Sequence, residues 1–295
     1  MKLLEVENLT KIYGKRVVLN GLNLEVGKGE VVGLLGHNGA GKSTAFGMIV
    51  GLIRPNNGRI YFQGQDITWI PIYKRARMGL GYLSQEPSVF QRLSVEDNLL
   101  AVLEVRRRLV NKRLRSAQLL EDFGLTHLAK KKAYTLSGGE KRRLELARAM
   151  ATTPSMLLLD EPFSGIDPIA LSELQAMVMG LKRIGIGILL TDHNVREALS
   201  ITDRAYILNE GEVMCHGTTA EIVNDPVAIK SYLGEGFTVE IKAPEACWLG
   251  EKDENILPTE TRESSPEGLK KPGESVEGKP QLLQLSKHKK SYWQW

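Results

Sequence analysis

Eight residues, Gly36-His37-Asn38-Gly39-Ala40-Gly41-Lys42-Ser43, have the types and spacing needed to hold a phosphate chain. Glycines at the first, fourth and sixth places let the backbone wrap close to phosphate oxygens without a Cβ in the way. The wrapped N–H groups and the start of a helix then aim partial positive charge at the anion. In this P-loop pattern Lys42 reaches the β- and γ-phosphates and the Ser43 hydroxyl ligates Mg²⁺, with Thr44 following in the same turn. A second constellation suits the metal and the water: Met156-Leu157-Leu158-Leu159-Asp160-Glu161 is a short apolar run that ends in two carboxylates. Asp160 is placed to serve Mg²⁺, and Glu161 to act as general base on the attacking water. Because Glu161 precedes Pro162, an extended backbone is expected there, with the two acids pointing apart.

These groups work only if particular elements present them. Val31 to Leu35 is almost wholly apolar, the pattern of a strand buried on both faces, and it ends where the phosphate loop begins. Ser43 to Leu52 reads as the helix that follows. Gly81–Ser84, Met156–Leu159, Ile186–Thr191 and Arg204–Leu208 read as further buried strands, several of them separated by helical segments. Leu3 to Leu9 and Leu22 to Val26 alternate instead, as in an antiparallel sheet with one wet face. Ser94-Val95-Glu96-Asp97 looks like a helix cap opening a helical insert that runs to Ala151. The expected fold is therefore α/β, a P-loop NTPase with a mixed or parallel sheet core, an antiparallel β subdomain and a helical subdomain over about 86–152.

The 295 residues are 42% hydrophobic and 25% charged, ordinary for a globular chain. Ile184–Leu190 is an apolar stretch broken by two glycines, and no run approaches the roughly 18 residues of a membrane span. Two cysteines, Cys215 and Cys247, exclude a disulfide scaffold and fit a reducing compartment. His216 beside Cys215 makes a poor chelate, so no zinc site is expected. The net charge of +4 hides a change of character, because 243–295 holds 8 Lys+Arg against 9 Asp+Glu with five prolines. A folded domain over 1–242 and a disordered tail over 243–295 are expected. The closing Lys287–Trp295 run mixes cations with aromatics, but a solvated appendage is the simpler reading.

A further motif identifies a family. Leu136-Ser137-Gly138-Gly139-Glu140 precedes the helical run Lys141–Ala151 and resembles the signature sequence of ABC ATPases. The resemblance includes Tyr13, Gln85, Gly165-Ile166-Asp167 and His193 in the family's order, and it covers about residues 1–240. It implies ATP and Mg²⁺ as ligands, with Tyr13 stacking on adenine and Gln85 touching Mg²⁺ and the lytic water. It further implies that His193 bonds the γ-phosphate and orients the base, while Ser137, Gly138 and Gly139 grip the γ-phosphate bound by a second subunit. One phosphate loop and one signature sequence per chain then imply a head-to-tail homodimer.

Three functional classes share such a cassette. Only 93 residues span Thr44 to Leu136, leaving no room for the coiled-coil arm of DNA-maintenance ATPases. Translation-factor relatives carry two cassettes, and this chain has one. Transport with the permease on separate chains remains. The basic clusters Arg106–Arg108, Lys112-Arg113, Lys130–Lys132 and Lys141–Arg143 lack interleaved aromatics and read as solvated helix faces, so no nucleic-acid partner is expected. Within transport, Phe46–Leu52, Ser84–Phe90 with Leu93–Glu104, Asp160–Pro168, Thr191–Glu197 and Tyr232–Glu235 ahead of Phe237 resemble the ATPases of lipopolysaccharide export; close cousins serve branched-chain amino-acid import. That resemblance implies two transmembrane permease subunits contacted near Phe90 and the helical subdomain, and a cytoplasmic location peripheral to the inner membrane. Ser164, Gly236 and the long tail depart from its pattern.

Overall fold

Apolar side chains at every second position oblige the first two strands to share one buried face. β1 (Lys2–Tyr13) and β2 (Arg16–Gly27) pair antiparallel and put Leu4, Val6, Leu9, Leu22, Leu24 and Val26 into the core. There follow β3 (Val31–Gly36), α1 (Lys42–Val50), β4 (Asn57–Phe62), β5 (Gln65–Asp66), α2 (Ile72–Arg77) and β6 (Leu80–Leu83). Three helices come next, α3 (Val95–Glu104), α4 (Lys112–Asp122) and α5 (Gly138–Met150). The chain continues through β7 (Met156–Asp160), α6 (Pro168–Arg183), β8 (Gly187–Thr191), α7 (Val195–Leu199), β9 (Arg204–Asn209), β10 (Glu212–Thr218) and α8 (Thr219–Asn224). This computed structural model describes residues 1–105 and 111–239. The tail from 243 and the Arg106–Arg108 cluster lie outside the described residues.

Two sheets organise the described residues: a four-stranded antiparallel sheet, β2-β1-β4-β5, and a six-stranded sheet, β10-β9-β3-β8-β7-β6. Strands β9 to β6 of the second run parallel, and β10 is an antiparallel edge. Strands β4 and β10 were not legible as strands, because Asn57-Gly58-Arg59 and the half-buried Glu212–Thr218 carry little apolar alternation.

The six-stranded sheet explains why its strands read as unbroken apolar runs. Val32, Leu34, Met156, Leu158, Leu189, Tyr206 and Leu208 face one core, shared with α1 and the antiparallel sheet. Val31, Leu35, Leu157, Leu159, Ile188, Leu190, Ala205 and Ile207 face the other, shared with α3 to α7. Each fully buried Leu or Ile is worth about 1.5–3 kcal/mol, so strands of five residues suffice when both faces are covered. Ser94 caps α3 as expected: its Oγ accepts from Asp97 N at 3.0 Å and donates to the Asp97 carboxylate at 2.6 Å. The loops after β3, β7 and β8 leave the sheet together at its carboxyl edge, where ligands of open α/β sheets sit.

Candidate active site

The phosphate loop is shaped by its glycines and pinned by its own lysine. Gly36 has φ +149°, and a Cβ there would stand 2.2 Å from the Leu208 carbonyl oxygen. Ala40 N donates to His37 O at 3.1 Å, Gly211 N donates to Ala40 O at 3.1 Å, and Gly41 leads into α1. Lys42 is buried, and its Nζ donates to Gly36 O at 2.8 Å and His37 O at 3.0 Å. Burial lowers its pKa from the usual lysine value, opposed by the Glu161, Asp160 and Asp192 carboxylates. Ser43 is exposed and Thr44 half-buried in the first turn of α1. A hollow of about 500 Å³ opens beside His37, Asn38, Gly39 and Ala40, walled by Arg16, Val17 and Val18 of the β1–β2 hairpin and by Asn209 and Glu210. Tyr13 ends β1 on that hairpin, 49% exposed, with the Lys11 ammonium 4.9 Å from its ring centre.

β7 delivers the two acids to different surroundings. Asp160 is 6% exposed; its Oδ2 accepts from Tyr82 Oη at 3.2 Å, while Oδ1 is buried and has no hydrogen-bond partner among the described residues. Burial raises its pKa above the usual aspartate value and pushes Tyr82 up to about 12. An unpaired carboxylate oxygen at the end of β7, a strand that shares a core face with α1, suits a hard, oxygen-seeking cation such as Mg²⁺. Glu161 Oε2 accepts from Gln85 Nε2 at 2.7 Å and lies 3.6 Å from His193 Nδ1. The side chain of His193 is 53% exposed, and its Nδ1 also lies 3.6 Å from Asp192 Oδ1. Asp192 is fully buried; it accepts from Phe163 N at 3.0 Å and Asn194 N at 2.9 Å, and burial raises its pKa.

Two expectations need correction. Glu161 is not extended: its φ is +47°, in the left-handed region, despite the following proline. The loop is held there from outside, by Glu161 N donating to Thr191 O at 2.9 Å and by Arg142 gripping three consecutive carbonyls. The two acids diverge nonetheless, one toward Tyr82 and the other toward Gln85. Arg142, read as part of a solvated face, is only 7% exposed. Its guanidinium donates to the carbonyls of Pro162 (3.2 Å), Ser84 (3.0 Å), Asp160 (3.1 Å) and Glu161 (3.1 Å), and to Glu145 Oε2 at 2.8 Å. Its place three residues before Glu145 on α5 was the available signal, since such a pair can face the core as well as water.

The signature segment lies at the start of α5. Ser137 caps the helix: its Oγ accepts from Glu140 N at 3.2 Å, and its N donates to Glu140 Oε2 at 2.7 Å. Gly139 is buried, and a Cβ there would stand 2.5 Å from Ala170 Cβ, so packing against α6 also demands glycine. Asp167 caps α6 by accepting from Ala170 N at 3.0 Å. Phe90 is 47% exposed beneath the Arg148 guanidinium, 4.6 Å from its ring centre, and Asn98 of α3 holds its backbone through Phe90 N to Oδ1 at 2.8 Å and Nδ2 to Phe90 O at 3.0 Å. Sequence reasoning missed Tyr232, whose Oη accepts from Gly36 N at 2.9 Å while its ring meets His37 edge-on at 5.0 Å. No local pattern joins residues 196 positions apart.

A parallel sheet with a glycine loop after β3, a flanking antiparallel sheet and a helical region between β6 and β7 is the architecture of the P-loop ATPases of ABC type. Residues 19–164 match the ABC transporter family, and 212–238 match a family described as branched-chain amino acid ATP-binding cassette transporter. A lipopolysaccharide export system ATP-binding protein, LptB, from Acidithiobacillus ferridurans is 52% identical over 239 residues, 81% of this chain and 99% of that protein. Its namesake from Escherichia coli K12 is 47% identical over 80% of this chain and 99% of its own length. Among solved structures, an ATP-binding cassette of an ABC transporter in its ADP conformation superposes with TM-score 0.73 at 30% identity, covering 80% of this chain and all of that one. A dimeric cassette in a post-hydrolysis state with ADP and Pi does so with TM-score 0.66 at 25% identity, covering 74% and 99%. The chain belongs to the ABC transporter family, as an ATP-binding subunit that hydrolyses ATP. Within it, the chain resembles the lipopolysaccharide export ATPases.

Proposed function

We propose that this chain powers lipopolysaccharide extraction, working as a head-to-tail homodimer on the cytoplasmic face of the inner membrane and driving two separate permease subunits. The observation that carries the proposal is the 52% identity to a lipopolysaccharide export ATP-binding protein along 99% of that protein's length. No helix among the described residues is long and apolar enough to cross a membrane, so on this reading the lipid path belongs to the permeases. Phe90, exposed and fixed by Asn98, and the neighbouring helices α3 to α5 are the surface offered to them. The match of 212–238 to the branched-chain amino-acid family favours an importer as the second reading.

In this proposal Gly36, His37, Asn38, Gly39, Ala40 and Gly41 wrap the phosphates, Lys42 leaves its loop carbonyls for the β/γ oxygens, and Tyr13 stacks on adenine. Thr44 adds a hydroxyl in the same turn. Ser43, Asp160 and Gln85 hold Mg²⁺, which when bound neutralises charge developing on the transferred phosphoryl group. With Gln85 and His193 both on the Oε2 side of Glu161, Oε1 is left to take the proton of the attacking water. Ser137, Gly138 and Gly139 serve the ATP of the partner subunit.

Glu161→Gln is the decisive variant. It should bind ATP and dimerise in its presence, by light scattering, while turnover falls by roughly 10²–10⁴-fold. Turnover near that of the wild type would remove Glu161 from the base role. Cargo is tested by reconstitution with the permeases: ATPase stimulation by lipopolysaccharide supports the exporter, and stimulation by an amino-acid-loaded binding protein supports the importer.

A further inference from the structure

Two buried polar atoms are left without a hydrogen-bond partner at neighbouring strand ends. One is Asp160 Oδ1; the other is Thr191 Oγ1, on a residue only 1% exposed. Asp160 and Thr191 are direct register partners in the parallel β7–β8 pair. They also share a face of the sheet. Met156 and Leu158 on β7 and Leu189 on β8 point to the core that contains α1, and side chains alternate along a strand, so Asp160 and Thr191 point that way too. The α1 face is where the phosphate loop and Ser43 begin. A hydroxyl and a carboxylate oxygen buried side by side, each unsatisfied, form an unfavourable arrangement unless something bridges them. Water is the fitting bridge, since it can accept from Thr191 and donate to Asp160, and the remaining lone pair can reach a cation.

The geometry points to Thr191 as a positioning residue for Mg²⁺: its hydroxyl and Asp160 Oδ1 together seat one of the metal's water ligands. This rests on the Mg²⁺–ATP reading above. Tyr82 fixes the other Asp160 oxygen, so Oδ1 has a set direction and the water a set place. The Thr191 carbonyl is separately engaged by Glu161 N, which joins the seat of the metal's water to the backbone that presents the base. Partners that orient a metal's ligands typically change its affinity by about 10–100-fold when removed.

Thr191→Val keeps the branched shape and removes the hydroxyl, and Thr191→Ser keeps the hydroxyl. ADP affinity is measured by calorimetry on the full chain, in EDTA and across a Mg²⁺ titration, so that no turnover is involved. The expected result is that Thr191→Val binds ADP in EDTA as the wild type does but needs about tenfold more Mg²⁺ to tighten it. Thr191→Ser should restore the wild-type requirement. In an Asp160→Asn background, adding Thr191→Val should change nothing further. The ligand-free melting temperature of Thr191→Val should equal or exceed that of the wild type, because an unpaired hydroxyl has been replaced by a methyl. An unchanged Mg²⁺ requirement, or an equal loss of ADP affinity with and without Mg²⁺, would overturn the assignment. Wild-type ADP binding that ignores Mg²⁺ would instead overturn the metal reading itself.

Discussion

Replacing Arg142 with alanine tests whether α5 holds the loop that carries Glu161. All five guanidinium N–H donors are used, on Pro162, Ser84, Asp160 and Glu161 carbonyls and on Glu145 Oε2. Removing the cation leaves Glu145, 3% exposed, with Ser88 N at 2.6 Å as its main partner. Breaking a buried pair in this way costs about 3–5 kcal/mol. The bonds to the Ser84 and Glu161 carbonyls are only partly buried, so a loss in the middle of that range, about 4 kcal/mol, is expected. At roughly 2–4 °C per kcal/mol for a body of this size, the melting temperature should fall by about 8–16 °C. Activity should respond in its own pattern, because the left-handed Glu161 is held partly by Arg142. At a temperature where the variant stays folded, kcat should drop while the ATP concentration giving half-maximal rate changes little. Thermal unfolding followed by circular dichroism and a phosphate-release assay measure the two effects. A variant that melts within 3 °C of the wild type, with kcat intact, would refute the reasoning that this guanidinium positions Glu161, the proposed base.

Two further outcomes follow from burial and from one long-range bond. Burial raises the Asp160 pKa, so the folded, ligand-free protein holds a proton that the unfolded chain has already lost, and stability falls as pH rises from the ordinary aspartate value through the raised one. Asp160→Asn should therefore be more stable than the wild type at neutral pH, with the gap narrowing as pH is lowered toward 3.8 in melting curves taken without nucleotide. Tyr232→Phe leaves Gly36 N without its acceptor at a cost of about 1 kcal/mol, and hydrogen exchange at the Gly36 amide should speed up while His37 keeps its ring contact.

Much of the site was legible because its chemistry is local. A glycine loop between a buried strand and a helix, and an apolar run closing on two acids, are recognisable within a few residues, and each stands at the end of a buried strand as expected. The buried strands were legible for the same reason, since a strand covered on both faces has no polar positions to hide it. Where pattern is weak, reading failed: β4 and β10 pair with neighbours that supply most of their reason to be strands.

Sequence alone therefore determined the α/β class and the family resemblance, and it marked the glycine loop at Gly36–Ser43 and the acids Asp160 and Glu161 as candidates, each resting on residue types close together in the chain. Only the tertiary structure decided that Arg142 is buried, that Glu161 takes a left-handed backbone, that Tyr232 reaches Gly36, and that Asp160 and Thr191 stand in register with one unpaired oxygen each. Those four depend on which groups from distant parts of the chain surround a residue. A charged or hydroxylated residue carries the same letter whether it is solvated or enclosed, and its free energy is set by partners that the fold brings to it.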